Sequence, residues 1–234
     1  MYDHTLLVET AAEFTGRLLS SYAVDEVLGD LAARLTRLLE VTGCGVSLGR
    51  GDAIMAVTAV PPAVMELEKY QETHNEGPCR SAYESGVLVA VGDLSQEERW
   101  PGYRQVAAEV GIHAVAALPL RLQSAAKTVG ALNLYHEEAR PWTVEDLDAA
   151  QMLANMATAY LINASDHHKQ VELSEQLQHA LDNRVIIEQA KGMLAESNQI
   201  SPEAAFEMLR QHARSNNLKL SDVAAAIVHT RLRL

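Results

Sequence analysis

Five cations near the carboxyl end of this 234-residue chain are set apart by their spacing. Arg184 and Lys191 are seven residues apart, which puts both on one helical face with Glu188 between them. Arg210 and Arg214 are four apart, one above the other on a second helix, and Lys219 falls in the turn that follows. Guanidinium groups fork onto phosphate oxygens and stack on bases, so such a set, gathered by a small bundle, has the chemistry to grip a polyanion. The alternative for each arginine is a solvated charge paired along its own helix with Glu207 and its neighbours, worth a few tenths of a kcal/mol. Phe206 could stack on a base, although a lone phenylalanine on a bundle helix more often serves the core. Gly192 follows Lys191 inside RVIIEQAKGMLAE (184–196). Glycine inside a helix costs about 1 kcal/mol against alanine. Packing of a second helix would account for it, and so would close approach of a ligand backbone. Either reading makes Gly192→Leu damaging.

A second group lies between residues 75 and 103. Glu76, Arg80, Tyr83, Trp100 and Tyr103 are polar or aromatic candidates for the wall of a pocket between a sheet and the segment 62–111. The competing reading pairs Glu76 with Arg80 across a turn and puts Trp100 in a core. The two cysteines, Cys44 and Cys79, are too few for a disulfide framework, and no Cys or His has zinc spacing. Both read as buried or idle thiols. No catalytic constellation is evident. DHHKQ (166–170) offers a histidine for phosphorylation, but no glycine-rich nucleotide-binding domain follows it.

These residues need elements to hold them. Hydrophobic content of 48% with both signs of charge describes a folded chain. There is no apolar run of membrane length, and the acids in MYDHTLLVETAAEF do not suit a secretory signal, so a cytoplasmic location without membrane contact is expected. The net charge of −12 is uneven: residues 1–181 hold 12 basic and 25 acidic groups, while 182–234 hold 7 and 6. The segment carrying the cations is nearly neutral in a strongly acidic chain.

Helical spacing marks the first forty residues, with a break near Ser20-Ser21. Short β-branched or alternating runs at 44–50, 53–60, 87–91, 113–122 and 128–136 predict five strands, the first two joined by a tight turn at GRGD (49–52). Helical pieces at about 62–74 and before Gly111 interrupt them, with NEGPC (75–79) as a breaker. A meandering sheet with helices before, between and after it is an α+β sandwich, and its antiparallel character is not that of a receiver domain. From Trp142 to Lys191 the chain has neither Gly nor Pro, predicting a long helix capped by Thr143. Its positions Leu153, Met156, Tyr160, Asn163, His167, Gln170, Ser174, Leu177 and Leu181 alternate three and four apart, a coiled-coil seam with a polar middle. A homodimer joined along it is expected, with Asn163 and His167 as adjustable elements; a monomer with the helix folded onto the sheet is the alternative. Ser201-Pro202 and Ser221 should cap two further helices, separated by a left-handed exit at Asn216-Asn217.

ALDNRVIIEQAKGMLAESNQISPEAAFEMLRQHARSNNLKLSDVAAAIV (180–228) resembles the ANTAR family of bacterial antitermination regulators, through Arg184, Ile187, QAKG (189–192), EAAFEMLR (203–210), Ala213 and KLSDVA (219–224). The resemblance implies a three-helix bundle that binds paired RNA hairpins as a dimer and keeps a terminator from forming. NEGPCRSAYESGVLVAVGDL (75–94), RWP (99–101), GIHAVAALPLRL (111–122) and VGALNLY (129–135) resemble a GAF domain over roughly 24–165. That implies a sensory sheet with a ligand pocket on one face, but not the ligand, and Cys79 as a haem or bilin ligand is disfavoured. The expected organisation is a GAF-like sensor with N-terminal helices over 1–165, a connecting coiled-coil helix over 143–183 and an ANTAR-like bundle over 178–234. The expected function is signal-controlled RNA binding without enzymatic activity. The alternative is a ligand-binding sensor whose bundle acts only as a protein interaction module.

Overall fold

The computed structural model describes residues 4–20, 22–51, 53–122 and 127–230, apart from the side chains of 166–169 and 171–172. The chain forms two compact units, Met1–Ser165 and Asp166–Leu234. In the first, α1 (His4–Arg17) and α2 (Val24–Leu38) precede β1 (Gly43–Arg50) and β2 (Ala53–Val60). Then come α3 (Met65–His74), α4 (Pro78–Ser85), β3 (Val89–Val91), α5 (Pro101–Glu109), β4 (Ala114–Leu122) and β5 (Lys127–His136). The helix α6 (Val144–Asn198) begins in this unit and ends in the second, where α7 (Pro202–Ser215) and α8 (Leu220–Thr230) complete the described elements.

The five strands form one antiparallel sheet in the order β2-β1-β5-β4-β3. Successive side chains on a strand point to opposite faces, and here each face has its own cover. Cys44, Val46, Ala116, Leu118, Leu120, Leu132 and Leu134 join the main core with α1, α2 and the first turns of α6. Val115 and Tyr135 face the other way, into a smaller core with Leu67 of α3 and Trp100, Tyr103 and Ala107 of α5. Burial on both faces explains why β4 reads as a nearly continuous apolar run.

Most of the boundaries follow from local chemistry. Thr143 Oγ1 accepts from Asp146 N at 3.1 Å, capping α6 as expected. Ser201 Oγ accepts from Ala204 N at 3.2 Å, and Pro202 takes the first helical position of α7. Asn217, at φ 52°, provides the left-handed exit.

Three expectations need correction. NEGPC is more than a breaker: Gly77, at φ 138°, and Pro78 launch the short helix α4. Ser221 is not a cap, because α8 starts at Leu220 and the N–H groups of Asp222 and Val223 donate to Lys219 O. The seam is not continuous. Leu153 and Tyr160 are sealed inside the main core, where the Tyr160 hydroxyl donates to Phe14 O, and Asn163 donates to Leu18 O at 3.3 Å. Those positions hold α6 to α1 of its own chain. The side chain of His167, and all of the DHHKQ side chains except that of Gln170, lie outside the described residues, as does Asp52 of the GRGD turn.

Candidate nucleic-acid interface and sensor pocket

The second unit closes around small residues. Ala190 and Leu194 of α6, Ala205, Leu209 and Ala213 of α7, and Val223, Ala224 and Ile227 of α8 form its core. Alanines at these positions let the helix axes approach closely, which brings surface groups on neighbouring helices toward one another.

The structure places the five cations in distinguishable settings. Lys191 pairs with Glu188 at 2.5 Å, and Glu203 in the first turn of α7 also feels its charge. Arg210 pairs with Glu207 at 2.7 Å and lies 5.9 Å over the Phe206 ring. Phe206 is half-buried and outside the bundle core, so it backs an arginine rather than filling the interior. Arg210 and Arg214 line one open groove of about 400 Å³ with Ala213, Asn217, Leu218 and Leu220, and Lys219 is exposed in the same turn. Arg184 is exposed on α6. The groove therefore brings together Arg210, Arg214 and the Lys219 turn, while Lys191 sits by the α7 amino end. The pairings with Glu188 and Glu207 are i,i+3 contacts at the surface, with Lys191 the more buried of the two cations, and such pairs are each worth little against a phosphate.

Gly192 is exposed, and a Cβ built on it meets nothing within 4 Å. Close packing of a second helix of this chain does not explain it.

In the first unit, the expected pocket wall has other duties. Glu76 Oε1 accepts from Gly102 N at 3.1 Å and Tyr103 N at 3.3 Å, capping α5. Arg80 reaches Glu84 at 2.5 Å. Tyr83 donates to Gly51 O at 3.0 Å and packs with Ile54, Cys79 and Ala131, pinning the β1–β2 turn. Trp100 is buried in the smaller core with Arg99 stacked 4.2 Å from its ring. Only Tyr103 points to a polar interior, and it is fully sealed.

That interior is organised by residues the sequence reading passed over. Glu68 of α3 is completely buried, accepting from Ser47 Oγ at 2.7 Å, Asn133 Nδ2 at 2.8 and 2.9 Å, and Tyr135 Oη at 2.5 Å. Ser47, Asn133 and Tyr135 share one sheet face, as their odd numbers on strands paired Gly45↔Asn133 require. Gly45 makes room: a Cβ there would stand 1.9 Å from Glu68 Oε1. Gln71, one turn on, accepts from Cys79 N at 2.8 Å. Burial raises the Glu68 carboxyl above its ordinary range, and the three donors oppose that rise. Burial, with Glu68 nearby, also pushes up the Cys79 thiol and the Tyr103 and Tyr135 hydroxyls. Cys79 is therefore an unreactive thiol. Asn133 and Tyr135 alternate with Leu132 and Leu134, a signal for the second face, whereas Glu68 in MELEKYQETH looks like any surface acid.

A double-faced sheet with a buried polar cluster, followed by a separate small bundle of balanced charge that gathers three cations at one corner, has the layout of a sensor–effector regulator. Residues 23–161 match the GAF domain family, and the chain belongs to that family; residues 175–228 match the ANTAR domain. Among solved structures, the chain is similar to the GAF domain of a phosphoenolpyruvate-protein phosphotransferase from Coxiella burnetii, at 14% identity and a TM-score of 0.56 over 70% of this chain and 98% of that one. It is also similar to free methionine-R-sulfoxide reductase from Neisseria meningitidis in complex with its substrate, at 15% identity and a TM-score of 0.55 over 71% and 96%. A third likeness is to a Synechocystis GAF domain in its photoproduct state, at 14% identity and a TM-score of 0.53 over 63% and 98%. These likenesses establish the fold alone. A comparison with curated proteins finds no match. GAF and ANTAR domains are regulatory rather than catalytic, and among the described residues no helix is long and apolar enough to cross a membrane.

Proposed function

We propose that this chain is a cytoplasmic regulator in which the state of the GAF unit controls how the ANTAR bundle grips RNA hairpins, promoting transcription antitermination. The observation that carries this reading is the groove at the α7–α8 corner, where Arg210 and Arg214 stand beside the Lys219 turn on a unit of balanced charge in a chain of net −12. Recognition would be of hairpin shape and unpaired loop bases, because the deep groove of A-form RNA is closed to side chains. Arg184 and Lys191 would extend the contact, and the exposed Gly192 would let a phosphate backbone lie against α6.

Two bundles reading paired hairpins need two chains. The exposed apolar residues Leu173, Leu177, Leu181 and Val185 recur every four positions along α6, and they support pairing there rather than along the full length of the helix. Asn163, bonded to the end of α1, is a contact through which the sensor could alter the helix.

The exposed Leu218 in the groove favours a second reading, a bundle that docks only on protein. Salt separates the two. RNA affinity should fall steeply with ionic strength, by a power set by the phosphates neutralised, whereas apolar docking should not. For the full-length protein titrated with a hairpin pool, Lys191→Ala and Arg210→Ala should each weaken binding and flatten the salt slope by roughly one. A folded double variant that binds RNA as tightly as the parent would falsify the assigned surface.

A further inference from the structure

Among the described residues, four buried side-chain polar atoms lack a hydrogen-bond partner, and three share one place: Gln71 Nε2, Tyr103 Oη and Asn133 Oδ1. All three residues are 0% exposed. Asn133 bonds Glu68 through its amide nitrogen, Gln71 bonds Cys79 N through its amide oxygen, and Tyr103 stands beside Glu68, Cys79 and the Tyr135 hydroxyl, with which its own hydroxyl makes no well-formed hydrogen bond. An orphaned buried polar atom carries its full desolvation cost, and native proteins tolerate few. Three around one carboxylate call for a common partner. The set has a definite polarity: Gln71 offers an N–H, Tyr103 a hydroxyl, and Asn133 a carbonyl oxygen. Its floor is Glu68, whose hydrogen bonds from Ser47, Asn133 and Tyr135 all come from uncharged groups. An anionic group offers only acceptors, and here it would meet the Glu68 oxygens, which accept in all four of their hydrogen bonds.

We propose that the recess between α3, α5 and the β1–β5 face binds a small uncharged or cationic molecule with an amide-like edge, its N–H toward Asn133 Oδ1 and its oxygen or imine nitrogen toward Gln71 Nε2 and Tyr103 Oη. This rests on the reading of the first unit as a sensor and names its ligand class, excluding phosphates and carboxylates. The residues of the recess are fully buried, so loading requires a covering helix to shift. Tyr103 sits in the first turn of α5, whose amino end Glu76 holds, so α5 is the covering helix that an entering molecule would displace.

The test uses the full-length protein with acetamide, nicotinamide and adenine as uncharged probes, and acetate and cyclic AMP as anionic ones. Binding is followed by ligand-observed NMR and located by high-resolution crystallography. At least one uncharged probe should occupy the recess, and Tyr103→Phe should weaken it about tenfold, the ratio expected for one lost hydrogen bond. The same variant should melt no lower than the parent when empty, because it removes an unpaired hydroxyl; a merely structural Tyr103 would not separate these two readouts. Gln71→Glu, which keeps the acceptor for Cys79 N and removes the N–H donor, should also abolish binding. An ordered water only, with no uncharged probe bound, overturns the proposal, as does an anionic probe that binds the recess. Probe binding that leaves hairpin affinity unchanged defeats the coupling proposed above but not the site.

Discussion

A carboxylate removed from water prefers its proton, and Glu68 is held against that preference by neutral donors from Ser47, Asn133 and Tyr135. Burial wins, and the folded pKa is raised above the ordinary 4.5. The folded chain thus binds more protons than the unfolded one above that value, so this contribution to stability is complete below about pH 4.5 and is lost as pH rises through the folded pKa. Glu68→Gln keeps the shape without the charge. The parent's melting temperature should therefore fall relative to the variant's as pH rises from about 4.5 toward neutrality; parallel curves would show that folding leaves the Glu68 pKa unshifted. Gly192 gives a second prediction. With open space around it, Gly192→Ala should stabilise the second unit by about 1 kcal/mol in chemical denaturation, yet weaken hairpin binding if RNA lies against it. At this scale the cations were legible because helical spacing is local. The recess was not, because Glu68 meets Asn133 across 65 positions of sequence, and periodicity marks a face without saying what it faces.

Elements were readable where local rules and tertiary packing agree. The five strands, the long helix and the Ser201-Pro202 start all follow from alternation, from the absence of breakers and from capping chemistry. Ser201→Ala should cost the bundle about 1 kcal/mol, seen as an earlier transition of the second unit in denaturant, with the first unit unaffected. The short helix α4 was hidden by the Gly-Pro pair that initiates it, since the same residues also end structure. The seam misled for a different reason. A stripe of Leu and Tyr along a helix states that something apolar covers it, and Leu153 and Tyr160 meet their own sheet and α1 instead of a second chain.

For the whole molecule, the proposed dimer turns on the remaining leucines of α6. Leu177→Glu combined with Leu181→Glu should leave both units folded and convert a dimer to a monomer in light scattering, because exposed apolar side chains on α6 contribute little to either unit alone. If RNA recognition needs two bundles, the same variant should lose affinity for paired hairpins while keeping that for single ones; equal loss of both would place pairing elsewhere.

Gly45 carries a last implication. Its role is to be empty, since the first carbon of any side chain there would occupy the place of the Glu68 carboxylate. A relative could keep every hydrogen-bonding residue of this cluster and still lose the proposed ligand through one added methyl. When chains of this type are sorted by what they sense, the missing atom at this strand position is as telling as any functional group.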